Sequence, residues 1–306
     1  MVIAMSDDNY VLESLQRSAL KTTREKMLKS EFSEIIFGFR KGNTAQLVNW
    51  PEGSRGVPNS ILRSALFGAI GRGERDIHLA TPVASLNGVT VMHSGPQLDQ
   101  ADLDVWEQCL HVSRNSPLGH SFEISAHPFL KAIGRDTGKS QREWLKESLK
   151  RLLQSTIEVQ NGSLSYAGHL IHDYFRDESK GLYYITINPN IVNLYGDDGW
   201  TLFQLKDRLA LRGHPLAQWL HGFYATHAKP YHYKVETIHK LCGSRSKNVT
   251  DFRKDIRKAF ALMDTAIGWK GEINNKGIIA MSHSITRAQH RHLQGKVSER
   301  QALPSH

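Results

Sequence analysis

One order of elements occurs twice in this chain, and it limits the possible folds more than any other feature. In the first copy, residues 122–124 read as a short strand and 128–133 as a short helix stopped at Gly134. Residues 141–154 read as a longer helix, and 157–160 with 164–166 as a hairpin turning at Asn161-Gly162. In the second copy, 231–233 is the strand, 235–241 the short helix ending at Cys242-Gly243, and 248–265 the long helix. Its hairpin is 267–273 with 277–281, turning at Asn274-Asn275. Leu145, Leu149, Leu152 and Leu153 on one long helix, and Phe252, Ile256, Phe260 and Met263 on the other, recur at helical spacing, so each helix has one side to bury. Glycine after a short helix supplies a left-handed stop, and Asn-Gly closes a tight hairpin. Strand, helix, turn, helix and hairpin make a winged helix, whose second helix can enter a major groove. The expected fold is therefore α+β: two tandem winged-helix domains behind a helical N-terminal arm.

The other segments arrange themselves around these copies. Residues 1–45 form the arm, with Leu12, Leu15, Met27, Leu28 and Phe32 spaced too irregularly for a coiled coil. Residues 46–197 are expected as the first winged-helix domain, 198–284 as the second, and 285–306 as a basic polar tail. The boundary falls in the Gly-Asp-Asp-Gly stretch at 196–199. Within the first domain, Asn59 is expected to cap a short helix from Ser60, 77–83 and 89–93 to pair through Asn87-Gly88, and 99–112 to form an amphipathic helix with Leu103, Trp106 and Leu110 inward. Between the copies lie a strand pair, 170–175 with 183–187, and helices at 202–211 and 215–227.

Charge narrows the function. The chain has 306 residues, with 39 Lys plus Arg against 30 Asp plus Glu, a formal charge of +9. A folded basic chain pairs most readily with a polyanion. A membrane is disfavoured because no apolar run nears ~20 residues, and Asp7 and Asp8 stand where a signal peptide would be basic. A cytoplasmic location is expected. The two cysteines, Cys109 and Cys242, lie far apart in apolar stretches, which excludes a disulfide framework or zinc finger and suits small buried residues. Gly134-Arg135-Asp136-Thr137-Gly138-Lys139-Ser140 imitates a phosphate-binding loop but is one residue short and follows a helix, so no nucleotide cradle forms. His290-Arg291-His292 has Arg where a metal-dependent nicking site would need an apolar residue. His120, His127, His227 and His232 are read as ordinary surface or capping histidines. No catalytic site, metal or cofactor is expected.

The two long helices differ as DNA readers. With the apolar side of the second turned inward, Lys247, Thr250, Asp251, Lys254, Arg257 and Lys258 face out and Arg253 lies at the edge. Between Arg245 and Lys258 six basic residues stand against two acids, Asp251 and Asp255. Ser244, Ser246 and Asn248 in the turn suit phosphate contact. On the first long helix, Ser140, Glu143, Glu147, Lys150 and Arg151 fall opposite the leucines. Its carboxylates oppose a duplex carrying one charge per ~1.7 Å. Lys139, Ser140, Arg142, Lys146 and Lys150 are therefore expected to touch only the backbone, and the second domain to read sequence in double-stranded DNA.

Short motifs carry a family resemblance. Asn49-Trp50-Pro51, Val57-Pro58-Asn59 and Arg63-Ser64-Ala65-Leu66-Phe67 form one group. His227-Ala228-Lys229-Pro230-Tyr231, Lys234-Val235-Glu236-Thr237 and Leu241-Cys242-Gly243-Ser244 form a second. With these the chain resembles the TrfA-type plasmid replication initiators, from Asn49 to Met281. The resemblance implies a Rep protein of an iteron-containing plasmid, which binds direct repeats at the origin as a monomer. It further implies melting of adjacent A·T-rich DNA, recruitment of host DnaA and the replicative helicase, and dimers that are inactive in replication and control copy number. The second winged helix would read the repeat, while the first would supply backbone contacts and the dimer interface. Strands 77–83 and 89–93, with Val89 and Val91, are the expected interface. Gln46-Leu47-Val48-Asn49-Trp50 loosely matches the Gln-Leu-x-Leu-Phe sliding-clamp motif of relatives. A winged-helix transcription repressor and a metal-dependent origin-nicking enzyme are the rival readings.

Overall fold

The computed structural model describes residues 45–71, 73–86, 88–162, 164–196, 199–284 and 289, so nearly all of the expected arm and tail lies outside the described residues. The described part opens with β1 (Ser54–Pro58), the single-turn helix α1 (Asn59–Leu62), β2 (Phe67–Gly68), the antiparallel pair β3 (Ile77–Val83) and β4 (Val89–Pro96), and β5 (Leu98–Asp99). Helix α2 (Gln100–Ser113) leads to β6 (Ser121–Ser125), α3 (Ala126–Ala132), α4 (Lys139–Gln154), the hairpin β7 (Thr156–Asn161) and β8 (Leu164–His169), and the hairpin β9 (Asp173–Asp177) and β10 (Leu182–Thr186). After a 3-10 turn come β11 (Trp200–Gln204), α5 (Leu205–Ala210), α6 (Pro215–Ala225), β12 (Tyr233–Lys234), α7 (Val235–Leu241), α8 (Val249–Ile267), and the hairpin β13 (Lys270–Ile273) and β14 (Ile278–Ser282).

The doubled order is present, and its glycines sit where a left-handed residue is needed: Gly134 after α3 has φ 72° and Gly243 after α7 has φ 60°. Strand pairing separates the copies. In the second, β12 pairs with β14 to give a sheet of order β12-β14-β13, closed within the unit. In the first, β6 pairs with β10 in a sheet β6-β10-β9, and the hairpin β7–β8 joins β4 in a sheet β3-β4-β7-β8. Strand β4 is thus hydrogen-bonded on both sides, with Val91 opposite Val83 and Val159.

Three local expectations change. Residues 202–204, expected to start a helix, belong to strand β11, because β1, far earlier in the chain, offers an antiparallel partner from Ser54↔Gln204 to Pro58↔Trp200. A partner so distant in sequence outweighs local helix propensity. Asn59 does not cap α1; its side chain accepts a 2.6 Å hydrogen bond from Thr201 across the same junction. Finally, α2 is not a half-exposed helix. Its apolar and its acidic side chains are nearly all buried, beneath β1, α4 and α6.

Buried carboxylates need partners, and α2 has them. Asp99 caps the helix by accepting from the backbone N–H of Ala101 and Asp102. Asp102 accepts from Ser148 (2.6 Å) and Arg151 (2.7 Å) of α4. Asp104 accepts from Arg208 of α5 at 2.7 Å, and that buried guanidinium also reaches the side chain and backbone oxygens of Gln100. Burial pushes Glu107 up to about 8 although Arg208 lies 3.7 Å away. One helix therefore ties α4 on one side and α5 on the other to one continuous core.

Candidate nucleic-acid interface

Helix α8 buries Phe252, Ile256, Ala259, Phe260 and Met263, and Asn248 caps its start by accepting from the Asp251 N–H. That burial turns Lys247, Thr250, Lys254, Arg257 and Lys258 into solvent. Among the described residues Lys247, Arg257 and Lys258 have no ion pair. Arg257 also lines a groove of about 510 Å³ between α8 and the β13–β14 hairpin, beside Phe260, Lys270 and Met281. The other expected contacts are engaged within the protein. Lys254 pairs with Asp251 (3.0 Å), and this bond with that of Asn248 holds the Asp251 carboxyl below its usual range. Arg253 leans back to Glu236 of α7 (3.3 Å). Ser246 donates to Asp255 (2.9 Å), and its N–H is accepted by the Ser244 hydroxyl (3.2 Å). Arg245 is turned away from the helix face and onto Glu74, Asp76 and Gln97.

Helix α4 gives a poorer cationic face. Lys139, Ser140, Arg142, Glu143, Glu147 and Lys150 are exposed and Lys146 is half-buried. Arg142 donates to the Thr137 carbonyl at 3.1 Å, closing the turn that precedes it. Arg151, expected to face out, points inward to Asp102 because that buried carboxylate needs a cation. Leu153 is only half-buried; Ser148 takes the inward place and also bonds Asp102.

The two motif groups lie side by side, with Gly243 against Ala65, and bonds to flanking residues tie each to the other's surroundings. Arg63 donates to the hydroxyl and to the carbonyl oxygen of Thr226, both at 2.7 Å. Trp219 donates to the Ser64 carbonyl (3.1 Å), and the Ala69 N–H to the Cys242 carbonyl (2.7 Å). His227 is not a surface histidine. It is buried between Phe223 and Tyr233, and burial, aided by the Arg63 charge, lowers it to about 4. The motifs thus lie along a seam between residues 63–69 and α6–α7. Leu47 and Trp50 of the clamp-like stretch are buried as well, while Val48 between them is exposed; Trp50 donates to His111 and stacks on Tyr195. Cys109 and Cys242 are buried free thiols, as expected.

The family model described as TrfA protein matches residues 8–268 of this sequence. The chain belongs to the TrfA protein family. Among curated proteins it is similar to the plasmid replication initiator protein TrfA of Escherichia coli, 24% identical over 258 residues, which is 81% of this chain and 64% of that one. It is also similar to the RepFIB replication protein A of Escherichia coli, 28% identical over 139 residues, covering 42% of this chain and 43% of that protein. The chain therefore spans a little under two thirds of the first relative and less than half of the second. A crystal structure of domains 2 and 3 of RctB superposes with a TM-score of 0.48 at 11% identity, over 74% of this chain and 97% of that one. No described helix of this TrfA-family chain is long and apolar enough to cross a membrane.

Proposed function

We propose that the chain is a plasmid replication initiator that grips direct repeats of origin DNA through two winged helices and carries no catalytic site of its own. The observation that carries this reading is the outer face of α8, where Lys247, Arg257 and Lys258 stand exposed and, among the described residues, without an ion pair, opposite the buried side of the second helix of a helix–turn–helix. Phosphates attract such cations wherever they lie, whereas an Arg set into the groove discriminates bases. The first unit, with Glu143 and Glu147 exposed on α4, holds the backbone through Lys139, Ser140, Lys146 and Lys150. Action as a monomer, opening of adjacent DNA, and recruitment of host DnaA and the replicative helicase in the cytoplasm follow from the TrfA resemblance.

Self-association belongs to β3 in this reading. Val91 is 1% exposed in the doubly paired strand β4, so it packs the core and is not available to a second copy. Among the described residues strand β3 has a free edge, with Ile77 and Leu79 68% and 82% exposed. A free strand edge is a template for pairing. Leu79→Asp should give more monomer in sedimentation with repeat affinity kept.

DNase footprinting on the DNA flanking the chain's own gene tests the proposal. Protected direct repeats support an initiator; an inverted repeat at a promoter alone replaces it with a repressor. Supercoiled repeat-bearing plasmid should stay uncut with Mg²⁺ or Mn²⁺. Specific nicking lost in a single Tyr→Phe variant would overturn the non-catalytic part.

A further inference from the structure

We propose that Arg245 is a positioning residue that locks the turn of the second helix–turn–helix onto the first half of the protein, and so sets the spacing at which both halves engage one repeat. This rests on the reading that both helix–turn–helix units touch the same DNA. The Arg245 guanidinium has three acceptors at the open end of the β3–β4 pair, two just before β3 and one just after β4. Nη1 donates to the Glu74 carbonyl (2.8 Å), while Nη2 donates to Gln97 Oε1 (2.6 Å) and pairs with Asp76 (3.2 Å). Those acceptors are themselves fixed. The Gln97 N–H donates to the Asp76 carbonyl, and Arg75 between them donates to Gln97 O (3.2 Å) and to the Asp99 carboxylate (2.5 Å). Asp99 caps α2, and one turn later Asp102 holds Arg151 of α4. An unbroken series of polar contacts thus runs from the turn before α8, through the start of α2, to α4.

Backbone contact beside Arg245 makes the joint close. The Ala69 N–H donates to the Cys242 carbonyl, and a side chain at Gly243 would come within 3.2 Å of the Ala65 Cβ. Arg245 extends this contact outward as a planar fork, a geometry that a lysine does not reproduce. Because Arg245 and Asp76 are both exposed, the pair adds little to global stability. Its effect falls on orientation. One base pair turns a site by about a tenth of a helical turn, so a fixed angle between the two units selects a spacing.

Two measurements test the lock. Spin labels at Gln160→Cys in β7 and Ala266→Cys in α8, both exposed, report the distance between the halves without DNA, and the native thiols are buried. A narrow distribution is expected for the parent, and a broad one for Arg245→Ala, for Arg245→Lys and for the Asp76→Asn, Gln97→Ala double variant, at unchanged denaturation midpoint. An unchanged distribution in Arg245→Ala overturns the proposal. The second measurement compares affinity for the repeat with duplexes carrying one inserted or deleted base pair at its centre. The parent should lose about tenfold on the altered duplexes, ~1.4 kcal/mol, and Arg245→Ala should lose little. Equal weakening of Arg245→Ala on every duplex, with a shallower salt dependence, would make Arg245 a phosphate contact and sink the lock. A parent indifferent to spacing refutes the two-unit reading instead, and the label distances still judge the lock.

Discussion

Helices α4 and α8 occupy the same step in the same order of elements, yet their charges have gone to different uses. Around α8 the unit closes on itself: β12 pairs with β14, the acids Glu236 and Asp251 each hold one cation, and Lys247, Arg257 and Lys258 are left over. Around α4 the unit is opened and built into the rest of the protein. Its leading strand pairs with β10, its hairpin extends the β3–β4 sheet, and Arg151 neutralises a buried carboxylate on α2. On α4 only Arg151 is consumed inside, and the exposed Lys139 and Lys150 share the outer side with Glu143 and Glu147; α8 keeps Lys247, Arg257 and Lys258 facing out.

The largest effect is expected where α4 is anchored. Asp102→Ala strands Arg151 and leaves Ser148 without its acceptor in the core. Removing one partner of a buried ion pair costs about 3–5 kcal/mol. Glu236→Ala, which breaks the exposed pair with Arg253 in the second unit, should change stability by no more than ~0.5 kcal/mol. Denaturant unfolding of both variants checks the pair of values. Equal losses would mean that α4 and α8 are anchored alike.

Acid should act on the first unit through its sheet. His93 of β4 is buried, its Nε2 against the Ser155 hydroxyl (3.1 Å) and its Nδ1 against His78 (3.0 Å). Burial and the neighbouring His78 lower it from 6.5 to about 4. Between those values the unfolded chain holds the extra proton, so stability is complete above pH ~6.5 and falls as the pH drops toward 4. The sheet β12-β14-β13 contains no histidine. His93→Gln should therefore flatten the fall in denaturant midpoint between pH 7 and 5 by about one proton's worth. An unaltered slope would assign acid sensitivity to His221 and His227, which burial also lowers, to about 3 and about 4.

These anchors explain what could be read from the sequence and what could not. The second unit was legible because its signals are local. Phe252, Ile256, Phe260 and Met263 mark the inner side of α8, and Asn274 closes the hairpin by accepting from the N–H groups of Lys276 and Ile278. The order of the first unit was legible for the same reason, but its pairing was not. Which strand β6 or β7 finds depends on β10 and β4, far away in sequence, and alternation alone names no partner. The acids of α2 looked like a solvated face because a carboxylate that will meet Arg151 or Arg208 resembles any other. The site divides likewise. Lys247, Arg257 and Lys258 follow from helical period, whereas the capture of Arg245 by Asp76 and Gln97 required the fold.

Sequence reading should separate the two helices next. Arg257 is exposed on α8 and has no ion pair among the described residues. An Arg that pairs bidentately with guanine contributes about 1–3 kcal/mol of discrimination. Arg257→Ala should thus weaken binding to the repeat more than to random duplex, as measured by fluorescence anisotropy on both. If a change in α4 erases specificity while Arg257→Ala leaves it intact, the reading helix lies in the first unit.

The smallest expected difference is between two lysines, and it probes the contrast at its weakest point. Lys247 precedes α8, exposed and without an ion pair among the described residues, while Lys150 shares the outer side of α4 with Glu143 and Glu147. A lysine on a phosphate adds affinity without base preference, so either Ala variant should weaken specific and scrambled duplexes alike. Losing one phosphate contact lowers the slope of log affinity against log salt by about 0.9. Lys247→Ala should show that full change. Lys150→Ala should show a fraction of it, because its charge is already partly offset by the two glutamates before DNA arrives. Glu147→Gln then provides the decisive comparison: removing the competing carboxylate should raise first-unit affinity for any duplex and bring the Lys150→Ala loss up toward that of Lys247→Ala. Anisotropy across a salt series on the single and double variants gives all the slopes. Should Lys150→Ala already match Lys247→Ala with Glu147 in place, the carboxylates of α4 do not face the phosphates, and the charge contrast between the two helices does not describe how the protein meets DNA.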